Sequence, residues 1–173
     1  MSYQVDCEPG QIRFHRYPFA PGRRRTLGPT DLLGFWPTTN PPSLVLCSRE
    51  IMFVPASQKA ELESWCQGHA VAPVAPEDVW SLLLEPFLDT QHSPEWQAAC
   101  LERLHLCGFD DHEIAALRRR VQTRMLCHNA ILWDWVYLGQ YDLLEAHRPF
   151  STAAQFEKLY WESMEIAWRG FSR

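Results

Sequence analysis

Residues 110–138 read DDHEIAALRRRVQTRMLCHNAILWDWVYL, and their apolar positions recur with a helical period. Ile114, Leu117, Val121, Met125, His128, Leu132 and Trp135 follow one another at steps of three and four, which puts them on one face of a helix roughly 42 Å long. Asp110 and Glu113 have the spacing of a capping box at its start, and Gly139 is the expected stop. From Ile131 to Leu138 hardly any polar side is left, so that half is expected to be enclosed by other elements.

The flanking segments supply those elements. Ser93-Pro94-Glu95 is a helix start, with a capping hydroxyl followed by proline and an acid, and Gly108 ends that helix. Trp96, Cys100, Leu104 and Cys107 form its apolar stripe, and the short link Gly108-Phe109-Asp110 predicts an αα-hairpin with the long helix. A shorter helix begins at Pro76 or Glu77, carries Trp80, Leu82, Leu83 and Leu84, and ends near Pro86. Residues 140–147 continue or restart helix until Pro149. Ser151-Thr152 with Gln155 caps a last helix, whose core face is Phe156, Tyr160, Met164 and Ala167.

The N-terminal part reads differently. Gln11 to Phe19 alternates as a strand, residues 20–40 are broken by glycine and proline, and SLVLC (43–47) with IMFVP (51–55) form a hairpin. A short helix follows from Ser57 to about Cys66. The predicted fold is therefore α+β and mainly α. A small antiparallel element of two or three strands packs on a C-terminal bundle of about four helices, organised around the long central helix 110–138. Residues 1–173 are expected to form a single cooperative domain, with a β-containing sub-region 1–72 and a helical one 76–173. HAVAPVAPE (69–77) is the linker between them.

Composition narrows the class. The 173 residues are 46% hydrophobic and 21% charged, with a net charge of −5, and no run approaches the roughly 18 apolar residues of a membrane span. MSYQVDCEPG carries no apolar leader, so a cytoplasmic protein is expected, and the six scattered cysteines are expected to be reduced thiols. Residues 1–75 hold seven basic and six acidic side chains against nine and fifteen in 76–173, so the helical part is the acidic one.

Candidate chemistry lies mostly on the long helix. Arg120, Arg124 and His128 stand one turn apart and form a cationic strip suited to a phosphate or carboxylate, or else His128 is a satisfied core histidine and the arginines reach solvent. Arg124 disfavours a metal at His128, since a cation one turn away repels a divalent ion. Asp134, between Trp133 and Trp135, is either salt-bridged to Arg103, Arg148 or Arg169, or a carboxylate of raised pKa able to transfer a proton. Glu102 and His105 have the ExxH spacing of carboxylate-bridged metal sites, but the second ExxH that such a site needs is missing. No cofactor is implied.

Arg23-Arg24-Arg25 and Arg118-Arg119-Arg120 are the basic clusters. Nucleic acid is disfavoured as a partner because the would-be recognition helix opens with Asp110, Asp111 and Glu113. No catalytic motif is present. The reading that results is a small acidic interaction or regulatory protein that binds another macromolecule, or a second copy of itself, through an aromatic and arginine face. The alternative is a ligand-binding protein or enzyme for an anionic small molecule with a pocket in the bundle.

Overall fold

Alternation at the N-terminus builds a hairpin ahead of the predicted strand. In a computed structural model, which describes residues 3–19, 26–88, 93–132 and 137–171 without the side chains of 129–132, β1 (Gln4–Glu8) pairs antiparallel with β2 (Gln11–His15). Val5 faces Phe14 and Cys7 faces Ile12. Gly10 turns the hairpin at φ +77°, a conformation glycine adopts without penalty. β3 (Thr26–Leu27) adds to the other side of β2.

A second antiparallel sheet follows, of β4 (Leu32–Trp36), β5 (Ser43–Leu46) and β6 (Ile51–Phe53). The expectation of two or three strands is thus corrected to six among the described residues, in two sheets of three. The strand missed in the glycine- and proline-broken region, β4, depends on Gly34. A Cβ there would lie 2.5 Å from Val74 and 2.9 Å from the Ala72 carbonyl oxygen. That close approach lets Phe35 N–H donate to Ala72 O at 3.0 Å and Val74 N–H donate to Phe35 O at 2.8 Å. Part of the segment read as a linker is therefore strand-like backbone bonded to β4.

The two sheets share an aromatic core. Tyr17 makes edge contacts with Tyr3, Phe14 and Phe19 at centroid distances of 5.3 to 5.6 Å. Their hydroxyls find partners: Tyr3 donates to Phe53 O at 3.0 Å, and Tyr17 accepts from Phe53 N–H at 3.1 Å. α1 (Lys59–Gly68) buries Leu62, Trp65 and Cys66.

The chain divides into two compact units, Met1–Ala75 and Pro76–Arg173. The second is helical: α2 (Val79–Leu84), α3 (Pro94–Leu106), α4 (Asp111–Leu132), α5 (Gln140–His147) and α6 (Ala153–Trp168). The fold is α+β and mainly α. α2 is short, yet among the described residues it touches α3, α4 and α6, and Val79, Trp80, Leu82, Leu83 and Leu84 are all buried. Trp80 donates its indole N–H to Ser163 O at 2.9 Å.

Four expectations for the helices change. α4 is helical as far as the described segment ends at Leu132, but Tyr137, Leu138 and Gly139 are not helical, so the helix does not reach 138. Gly139 is the extended residue that starts α5, its N–H donating to Asp142 Oδ2 at 2.8 Å, and a Cβ on it would lie 2.6 Å from the Tyr137 hydroxyl. α3 and α4 each pack more on α2 than on each other, so the link at Gly108 does not make a tight αα-hairpin. Trp96 is 48% exposed and leaves the stripe, whereas Cys100, Leu104 and Cys107 are buried. α4 buries Ile114, Val121 and Met125, and α6 buries Phe156, Tyr160, Met164 and Ala167.

Candidate functional site

α4 is an amphipathic helix whose buried stripe leaves the residues beside Val121 at the edge of the core. That edge is where Arg120 and Arg124 emerge. They line an open groove of about 510 Å³ together with Val121 from the same helix, His147 from the end of α5, Ser151, and Gln155, Lys158, Leu159 and Glu162 from α6. Val121 and Leu159 supply apolar surface, and the cations surround it. Arg120 Nη1 donates to Glu162 Oε2 at 3.1 Å, and Lys158 Nζ stands 3.8 Å from Glu162 Oε1.

Arg124 is held by an aromatic ring. Its guanidinium carbon lies 4.3 Å from the ring centroid of Phe150, a cation–π contact, and Phe150 is 64% exposed. No carboxylate among the described residues lies within ion-pair distance of Arg124. The groove thus gathers three permanent cations around one carboxylate, with an exposed aromatic face at its rim.

His147 was missed by sequence reasoning, because a histidine in the last turn of a short helix is an ordinary favourable partner for the helix dipole. Its Nδ1 lies 2.8 Å from Leu143 O, so that nitrogen carries the proton and Nε2 is left as the acceptor of the neutral ring. Burial first, and then Arg124, Arg120 and His128, hold its pKa below the ordinary imidazole value, against the Leu143 hydrogen bond, which raises it. His128 does not line the groove. It is half-buried, and burial lowers its pKa against a smaller raising effect of Glu145. The strip on α4 therefore delivers Arg120 and Arg124 to one place, and α5 provides the histidine.

The other candidates scatter. Asp134 lies outside the described residues, as do Arg23, Arg24 and Arg25. The guanidinium groups considered for Asp134 have other carboxylates: Arg103 binds Glu77, Arg148 lies 3.3 Å from Glu145, and Arg169 donates to Glu113 at 2.6 Å. Arg118 turns inward and donates to the carbonyls of Leu82 and Leu83, both at 3.2 Å, so Arg118-Arg119-Arg120 is not a continuous basic surface. Glu102 is exposed, and His105 Nε2 lies 2.9 Å from Asp111 Oδ1. Among the described residues no three histidine, cysteine, aspartate or glutamate side chains converge as metal ligands.

A carboxylate of raised pKa does occur, at Asp142. Its side chain is 1% exposed, and burial pushes its pKa up to about 7, with Asp78 and Glu145 adding to the rise against the Gly139 hydrogen bond. Asp78 caps α2, accepting from Ser81 N–H at 3.0 Å, and also accepts from the Tyr137 hydroxyl. Burial raises its pKa too. No helix among the described residues is long and apolar enough to cross a membrane. Compared with known protein families, curated proteins and solved structures, the chain matches none.

Proposed function

We propose that the protein is a cytoplasmic interaction module that binds an anionic segment of another macromolecule in the groove between α4 and α6. The observation that carries this reading is the convergence of Arg120, Arg124 and Lys158 beside the exposed ring of Phe150. Arginine and aromatic side chains dominate interface energetics, and a guanidinium resting on a ring is already ordered for a partner. Openness favours a macromolecular segment over a small molecule, because small-molecule sites bury most of their ligand in a cleft or cavity.

Selection of a random peptide library on the purified protein tests it. Acidic sequences should be enriched and should bind at least about tenfold more weakly to an Arg124→Ala/Phe150→Ala double variant. Enrichment of neutral sequences, or binding indifferent to the double variant, would sink the proposal. A small anion such as citrate that stabilises the protein through Arg124 while no peptide binds would instead favour the small-molecule alternative.

A further inference from the structure

Glu162 occupies the groove as a ligand would. Its two carboxylate oxygens are divided between Arg120 of α4 at 3.1 Å and Lys158, one turn back on its own helix, at 3.8 Å. Arg120 and Lys158 both belong to exposed positions, so this pairing is weak and salt-screened, and a second carboxylate can replace it at small cost. Resting on the reading of the groove as a docking site, we propose that its occupant is a short acidic peptide whose carboxylate displaces Glu162 from Arg120 and Lys158, while a neighbouring apolar side chain covers Phe150 next to Arg124.

Two features select a carboxylate peptide over a phosphate group. Phosphate sites commonly add backbone N–H and hydroxyl donors to their cations. Of the groove-lining donors, Ser151 Oγ donates to His147 O at 2.9 Å and Gln155 N–H donates to Thr152 Oγ1 at 3.3 Å. Arg120 and Lys158 already accommodate a carboxylate, that of Glu162. Length is limited by charge, since the groove is a basic island in a region of nine basic and fifteen acidic side chains. A long polyanion would leave the island and meet repulsion, whereas a segment of a few residues would not.

Fluorescence anisotropy with a labelled pentapeptide of alternating glutamate and phenylalanine tests this on the full chain. Glu162→Gln keeps the side-chain shape and removes the competing charge, so it should tighten the peptide about three- to fivefold, while Arg124→Ala should weaken it about tenfold. The peptide with glutamine in place of glutamate should not bind. If the wild type binds the peptide through Arg124 but Glu162→Gln leaves affinity unchanged, the displacement of Glu162 is refuted and the docking site survives. No peptide binding to either protein overturns both. Tightening of inorganic phosphate or single-stranded oligothymidylate by Glu162→Gln that exceeds the effect on the peptide overturns the choice of occupant.

Discussion

Asp142 sets a pH dependence that can be assigned a sign. Its carboxyl is held to about 7 in the fold and titrates near its usual value, about 4, when unfolded. Between those values the native state keeps a proton that the unfolded chain has lost, so stability from this group is complete below about pH 4 and declines as pH rises toward 7. The slope can reach about 1.4 kcal/mol per pH unit, with Asp78 contributing in the same direction. Asp142→Asn keeps an acceptor for Gly139 N–H and removes the titration, so urea unfolding between pH 4.5 and 7.5 should show a flatter profile than the wild type. An unchanged slope would assign the decline elsewhere. His147 gives a second prediction. Among the described residues, Arg120, Arg124 and His128 on α4 act on it, and Lys158 and Glu162 on α6 line the groove with it. Protonation would turn Nε2 from acceptor to donor and add a fourth cation, so affinity for the acidic peptide should rise as pH falls below the ordinary imidazole range, until the peptide's own glutamates begin to take up protons. His147→Gln should remove that rise, and a rise that persists would place the proton on another group. The physics that made Asp134 a candidate in the sequence, a carboxylate among apolar side chains, operates in the described structure at Asp142. There the sequence showed only an ordinary acid in the first turn of a short helix.

Elements were legible where a local signal was enough. Ile114, Val121 and Met125 of α4 and the buried face of α6 follow from periodicity, whereas Leu117 and His128 of the predicted stripe are half-buried and Leu132 and Trp135 lie outside the described side chains. Ser93 caps α3 by accepting from Trp96 N–H at 3.3 Å, and Asp110 caps α4 by accepting from Glu113 N–H at 2.7 Å. What escaped was decided by distant partners. Glu113 does not reach back to complete the capping box, because Arg169 from the far end of the chain takes its carboxylate. β4 was hidden because glycine in a strand has no local explanation, and Ala72 and Val74 explain Gly34 only once they lie against it. Gly34→Ala should therefore cost about 1–3 kcal/mol, with faster hydrogen exchange at the Phe35 and Val74 amides. Normal protection at both amides would show that the segment can give way. Arg169 anchors the turn between α3 and α4 by donating to Cys107 O at 3.2 Å, to Gly108 O and to Glu113, with its guanidinium carbon 3.3 Å from the Phe109 ring centroid. A lysine keeps the charge but neither the fork nor the stack, so Arg169→Lys should destabilise by about 1–2 kcal/mol in chemical denaturation, and a loss within about 0.3 kcal/mol of zero would reduce the anchor to a surface charge.

Across the whole chain, the charge imbalance and the mixed class could both be read from composition, because each is a sum over many residues. The groove could not, since it joins α4 to residues 23 to 42 positions further on, and no periodicity within one helix reports that. The boundary itself bears on cooperativity. Val74 N–H is bonded to Phe35 O within the first unit, and Glu77 N–H is bonded to Gly170 O at 3.1 Å within the second, which leaves only Ala75 and Pro76 between anchored residues. A Cβ on Gly170 would lie 2.0 Å from Glu77 O, so this second anchor tolerates no side chain. With a joint of two residues, we propose one cooperative transition for the full chain. Calorimetry and urea unfolding followed by circular dichroism and by tryptophan fluorescence should give coincident midpoints. Inserting six glycine–serine residues between Ala75 and Pro76 should then separate the probes into two transitions. Two transitions already present in the unaltered chain would show that the joint transmits no cooperativity and that each core melts by itself.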